Sequence, residues 1–168
     1  MLDIVTDALV LKKEPIGDYD ALYTLFTCDE GKIAARATSV RKITSRLAAH
    51  LEPGLLSRVR LVAKNGARTG GTRFHVADAL QERRLFADFS FLELVDGMTL
   101  LSHADPALWN FLQSGNHEKK KMLVLCGFGE EQTCASCSLP AAKLYYPDQA
   151  FLCADCSSEI PKELVTYL

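Results

Sequence analysis

Over the first half of the chain, apolar and polar positions alternate in short runs; beyond Arg84 the apolar ones recur every three to four residues. The runs IVTDALVL, ALYTLFTC, KIAARATS, LLSRVRLVAKNG and FHVADAL are rich in β-branched and aromatic residues, as half-buried strands require. Turn chemistry separates them: DEG with Gly31 free to take a positive φ, Pro53-Gly54, Asn65-Gly66 and the glycine-bearing ARTGG. Five such strands predict a small antiparallel barrel or sandwich. RKITSRLAAHLEPG, between the third and fourth, predicts either a long loop or a short helical turn.

Past Arg84 the period is helical. Phe91, Leu94, Val95, Met98 and Leu101 share one face. DPALWNFLQSG carries a full set of boundary signals, with Asp105 as N-cap, Pro106 in the first turn, a stripe of Leu108, Phe111 and Leu112, and Gly115 as the stop. NHEKKKMLVLCG predicts a third helix from near Asn116 to Gly127. Lys119, Lys120 and Lys121 oppose the positive end of that helix and need solvent or an anionic partner. The fold class is therefore α+β, with residues 1–82 forming the strand-built domain and residues 83–168 a small helical domain. The apolar runs ALVL and MLVL are far shorter than the ~20 residues that span a bilayer. MLDIVTD lacks a basic segment followed by a long apolar stretch, so a cytoplasmic location is expected.

Charge sharpens this picture. The formal net charge of -2 conceals a segment from Gly31 to His75 that carries +9, with Glu52 its single acid, while Leu85 to Leu168 carries -6. In KIAAR, Lys32 and Arg36 point to one side and Ile33 and Ala35 to the other; in SRVRLV, Arg58 and Arg60 oppose Val59 and Leu61. Two neighbouring strands are thus expected to present a charged face, extended by Arg41, Lys42 and Arg46 on the adjoining loop and by Lys64. Such a face neutralises phosphates without reading bases. Phe74 is the only ring in the segment, with Tyr19, Tyr23 and Phe26 upstream, so backbone electrostatics are expected to outweigh stacking.

The cysteines supply a second chemistry. Cys134, Cys137, Cys153 and Cys156 form C-x₂-C-x₁₅-C-x₂-C, the spacing of a four-thiolate zinc site, with a connector long enough for a hairpin that returns the second pair. Four protein ligands leave no position for water, so the ion is structural. A redox dithiol needs only one such pair, and disulfides do not suit reduced cytosol. Ser138 and Ser157 stand where zinc knuckles commonly carry glycine. Cys28 and Cys126 read as small core residues, and the four histidines form no ligand pattern. No phosphate-binding glycine loop, H-E-x-x-H or nucleophile elbow is present, and an enzyme is not expected.

These residues resemble a known family. GDYDALYTLFTCDEGKIAARATSVRKITSRLAAHLEPGLLSRVRLVAKNG resembles the N-terminal domain of the bacterial recombination mediator RecO, and LVLCGFGEEQTCASC with the later CADC resembles that family's helix, glycine pair and cysteine cluster. The resemblance implies a five-stranded oligonucleotide-binding (OB-fold) barrel, then a helical domain bearing a zinc module at about 130–160, here reduced relative to the family. It implies binding of single- and double-stranded DNA, strand annealing, and loading of the RecA recombinase together with RecR and single-stranded-DNA-binding protein. It assigns DNA contact to Lys32, Arg36, Arg41, Lys42 and Arg46 and metal ligation to the four paired cysteines. Arg58, Arg60 and Lys64 rest on the charge pattern alone. Two rivals follow from the same residues: an adaptor whose basic face grips acidic protein tails, and a dithiol oxidoreductase.

Overall fold

A computed structural model of the chain describes residues 2–63 and 74–168. Five strands, β1 (Leu2–Ile16), β2 (Asp20–Thr27), β3 (Gly31–Ala37), β4 (Leu55–Ala63) and β5 (Phe74–Arg84), close into a barrel in the order β1-β2-β3-β5-β4. The five predicted runs are the five strands, and the closure decides for a barrel over a sandwich. Every pairing is antiparallel except β3 with β5, where Ala35 lies opposite Phe74 and Arg36 opposite His75. The all-antiparallel expectation fails at that seam because the loop after β3 and the whole of β4 act as a crossover, so β5 enters beside β3 in the same direction. Between β3 and β4 the chain makes one short helical turn at Ala48–His50 and is otherwise loop.

Inward-facing residues fill the barrel, including Val10, Tyr23, Leu25, Ile33 and Leu61, with the smaller Ala35, Ala37 and Ala63 among them. Alternation breaks in the ALVL of β1, where Ala8, Leu9, Val10 and Leu11 are all buried. The cause is packing on the outer side. Helix α1 (Phe89–Met98) packs against β1, and Trp109 of α2 (Pro106–Gln113) stacks on Phe26, the register partner of Leu9, at a ring-centroid distance of 6.3 Å. Asp105 caps α2 as its sequence predicts, its carboxylate accepting from Leu108 N–H at 2.9 Å, and Gly115 ends the segment at φ +78°.

Leu101 departs from expectation. Helix α1 stops at Met98, and Leu101 is exposed on a connector that bridges to β3 opposite Lys32, with Ser102 N–H donating to the Lys32 carbonyl at 2.8 Å. That connector presses on Gly31 (φ +65°), where any Cβ would run into the carbonyl oxygen of His103. These contacts tie both helices to the barrel. The first compact unit accordingly runs Met1–Asn116 and includes both helices, whereas the boundary read from sequence at 82/83 falls within β5.

The second unit, His117–Leu168, holds α3 (Lys119–Leu125) and a three-stranded sheet of β6 (Lys143–Tyr145), β7 (Ala150–Leu152) and β8 (Val165–Tyr167), in the order β7-β6-β8. It is therefore not simply helical. Strands of three residues are too short for a period-two pattern to register. Helix α3 begins at Lys119, and the Lys119 ammonium donates to the Tyr167 carbonyl at 2.7 Å, which answers part of its conflict with the helix end. Among the described residues no helix is long and apolar enough to cross a membrane.

Candidate functional site

The second unit folds around its cysteines. Cys134 N–H donates to the Leu139 carbonyl at 2.7 Å and Ser138 N–H returns to the Cys134 carbonyl at 2.9 Å, closing a tight turn that aims Cys134 and Cys137 at one point. The predicted hairpin, β6 to β7, brings Cys153 and Cys156 back, and Ala135 N–H ties the first turn to the Phe151 carbonyl at 2.8 Å. Ser138 adopts φ +60°, the conformation a glycine would take there. Ser157 is buried instead, its hydroxyl donating to the Cys153 carbonyl at 2.8 Å.

All four Sγ atoms lie within 4.8 Å of one another, and Cys137 and Cys153 are 3.6 Å apart. Metal–sulfur bonds of about 2.3 Å at tetrahedral angles put ligand sulfurs roughly 3.8 Å apart. The donor set fits a tetrahedral ion. Hydrogen bonding also sets its thiols apart. Hydrogen bonding from the Cys153 backbone N–H, with help from Ser136 and Cys137, lowers Cys134 to about 6, while hydrogen bonding with Cys153, then Cys137 and Cys134, raises Cys156 to about 12. The shared protons sit unevenly among four close thiols, and a cation at the centre would favour the thiolate form of all four.

The cationic face fares differently. Lys32 and Arg36 do share the outer side of β3, and Arg58 and Arg60 that of β4, but β5 separates the two strands on one side and β1 with β2 on the other. The expectation that these strands are neighbours is wrong, because the crossover inserts β5. Acids also lie between the bases. Lys32, with a side chain only 12% exposed, pairs with Asp96 of α1 at 3.1 Å and donates to its carbonyl. Arg36 grips Asp20 through Nε at 3.0 Å and a terminal nitrogen. Arg58 binds Asp7, its register partner on β1, at 2.9 Å, with Glu82 at 3.9 Å, and Arg60 binds Asp3 at 3.0 Å. Each of these four predicted DNA contacts is thus paired with a carboxylate within the fold, with which a phosphate would have to compete. Lys64 lies outside the described residues.

Arg41, Lys42 and Arg46 remain. All three are exposed, and among the described residues no carboxylate comes within 4.0 Å of any of them. Their loop is seated on the turn between β1 and β2. Arg41 N–H donates to the Tyr19 carbonyl at 2.9 Å, the Arg41 guanidinium reaches the Gly17 carbonyl at 3.0 Å, and Ser39 N–H donates to the Asp20 carboxylate at 2.8 Å. Lys42 Nζ sits 5.1 Å from the centroid of the Tyr19 ring. Charge counting along the chain missed Asp3, Asp7 and Asp20 because they precede the basic segment; only strand register carries them into it.

Residues 1–74 match the family described as recombination protein O N terminal. The chain is 28% identical to the DNA repair protein RecO of Dehalococcoides mccartyi strain BAV1 over an alignment covering 92% of this chain and 70% of the relative. It is 36% identical to the DNA repair protein RecO of Myxococcus xanthus, over 64% of this chain and 46% of that one. With the DNA repair protein RecO of Bacillus pumilus the identity is 25% over 96% of this chain and 71% of the relative.

Proposed function

We propose, from the match of residues 1–74 to the family described as recombination protein O N terminal, that this protein is a DNA-binding recombination mediator acting in DNA repair. The observation that carries the reading is the set of Arg41, Lys42 and Arg46, three exposed cations with no carboxylate within 4.0 Å among the described residues, on a loop docked to the turn between β1 and β2. Each phosphate they neutralise releases a condensed counterion, which drives binding independently of base sequence. Neutralised strands repel one another less, so complementary strands, single or partly paired, meet and anneal faster. The reading requires no covalent step. Its partners would be RecR, single-stranded-DNA-binding protein and the recombinase it helps load, in the cytoplasm at the nucleoid.

Lys32, Arg36, Arg58 and Arg60 act here as structural ion pairs. In the second unit, Cys134, Cys137, Cys153 and Cys156 would hold one zinc ion, which supplies cross-linking and charge compensation. With all four positions filled by sulfur, its role is to keep the module folded.

Fluorescence anisotropy of a labelled single-stranded oligonucleotide, with polyglutamate as competitor, tests the reading. The oligonucleotide should bind and resist displacement by excess polyglutamate. Tight polyglutamate binding that the oligonucleotide cannot displace would favour an adaptor for acidic protein tails and sink the DNA reading.

A further inference from the structure

Tyr19 occupies the turn between β1 and β2 with 54% of its surface exposed, outside the barrel's core cluster. Its backbone is fixed by the hydrogen bond from Arg41 N–H, and its ring lies under the ammonium of Lys42. Ile43, the next residue, projects wholly into solvent. An aromatic ring and an aliphatic side chain thus stand beside Arg41 and Lys42, neither of which has a carboxylate within 4.0 Å among the described residues.

Phosphates alone do not call for this composition. A purely electrostatic groove needs lysine and arginine, whereas an exposed ring beside them offers the face on which an unpaired base stacks, worth about 1–3 kcal/mol per base. In a duplex that base is already stacked and inaccessible. The side of the barrel formed by β2 and β3, where ligands of such barrels commonly lie, is poorly suited here. Its Lys32 and Arg36 are neutralised, and the connector at Leu101–Ser102 runs along the start of β3.

We infer that Tyr19 is a base-stacking residue that biases the tip toward single strands, with Lys42 gripping the phosphate of the nucleotide whose base covers the ring and Ile43 adding apolar contact. This rests on the DNA-binding reading and adds to it a residue that contacts the base itself.

The test separates bases from phosphates. Affinities of the full chain and of Tyr19→Leu are measured for oligothymidylate, for an abasic oligonucleotide of equal length, and for a duplex. Stacking predicts that Tyr19→Leu loses about tenfold or more on oligothymidylate and is unchanged on the abasic strand and the duplex. Tyr19→Trp should retain binding, with its indole emission quenched by oligothymidylate and not by the abasic strand. Equal losses on both strands, or no loss on either, would overturn the stacking role while leaving phosphate contact intact. Failure of the unsubstituted chain to bind any of the three would instead remove the DNA-binding reading itself. Because Tyr19 is exposed in a turn, the substitutions leave the barrel core untouched.

Discussion

Tyr23 is fully buried in the barrel, and among the described residues its hydroxyl has no hydrogen-bond partner. Burial pushes the phenol up to about 12, with Glu52 adding to the effect. An unpartnered buried hydroxyl costs about 1–3 kcal/mol, so Tyr23→Phe should raise stability by roughly 1 kcal/mol in urea denaturation. A fall would mean that the hydroxyl has a bound partner. Nothing in ALYTLFTC distinguishes this ring from an outward one except the alternation, which places it inside but says nothing of its hydroxyl. Other single residues were plainly legible. Asp105 caps α2 and Gly115 ends the segment because capping depends on a few adjacent atoms, and the cysteine spacing was readable for the same reason.

At the scale of elements, register decides what sequence order cannot. Asp7 and Arg58 are far apart in the chain yet face each other across β1 and β4, so a segment that reads as +9 folds with acids between its bases. Asp20 shows how such a pair also builds the tip. The Ser39 N–H, then the Arg36 guanidinium, hold its carboxyl below the ordinary value of 3.8. A lowered folded value means that Asp20 stabilises the fold fully above that ordinary value, and the contribution vanishes as pH falls through the folded one. Denaturant midpoints measured from pH 7 to pH 2 should therefore be lower for Asp20→Asn at neutral pH and converge with those of the unsubstituted chain in acid. A gap that persists at pH 2 would mean that the carboxylate's charge is not what anchors the loop.

The whole molecule comprises two compact units with separate sources of order. The first has a closed barrel and two packed helices; the second has three-residue strands and a small core around Cys134, Leu152 and Cys153, cross-linked in our reading by zinc. Metal removal is expected to act selectively. Hydrogen exchange on the chelator-treated full chain should show loss of amide protection within residues 117–168, while β1 to β5 keep theirs. Retained protection in the second unit would show that it folds without metal. The five barrel strands, the helix order and the ligand spacing were visible in the sequence, whereas the three short strands of the second unit and the extent of the first unit were not, since the contacts of Gly31 and Lys32 with the α1–α2 connector are long-range.

The central claim concerns which cations touch DNA, and salt dependence tests it most directly. On single strands each phosphate contact contributes about 0.7 to the slope of log affinity against log salt. Replacing Arg41, Lys42 and Arg46 together by alanine should reduce the slope by about 2, while Arg58→Gln with Arg60→Gln leaves it unchanged. An unaltered slope in the tip variant, or an equal reduction in the strand variant, would contradict the account.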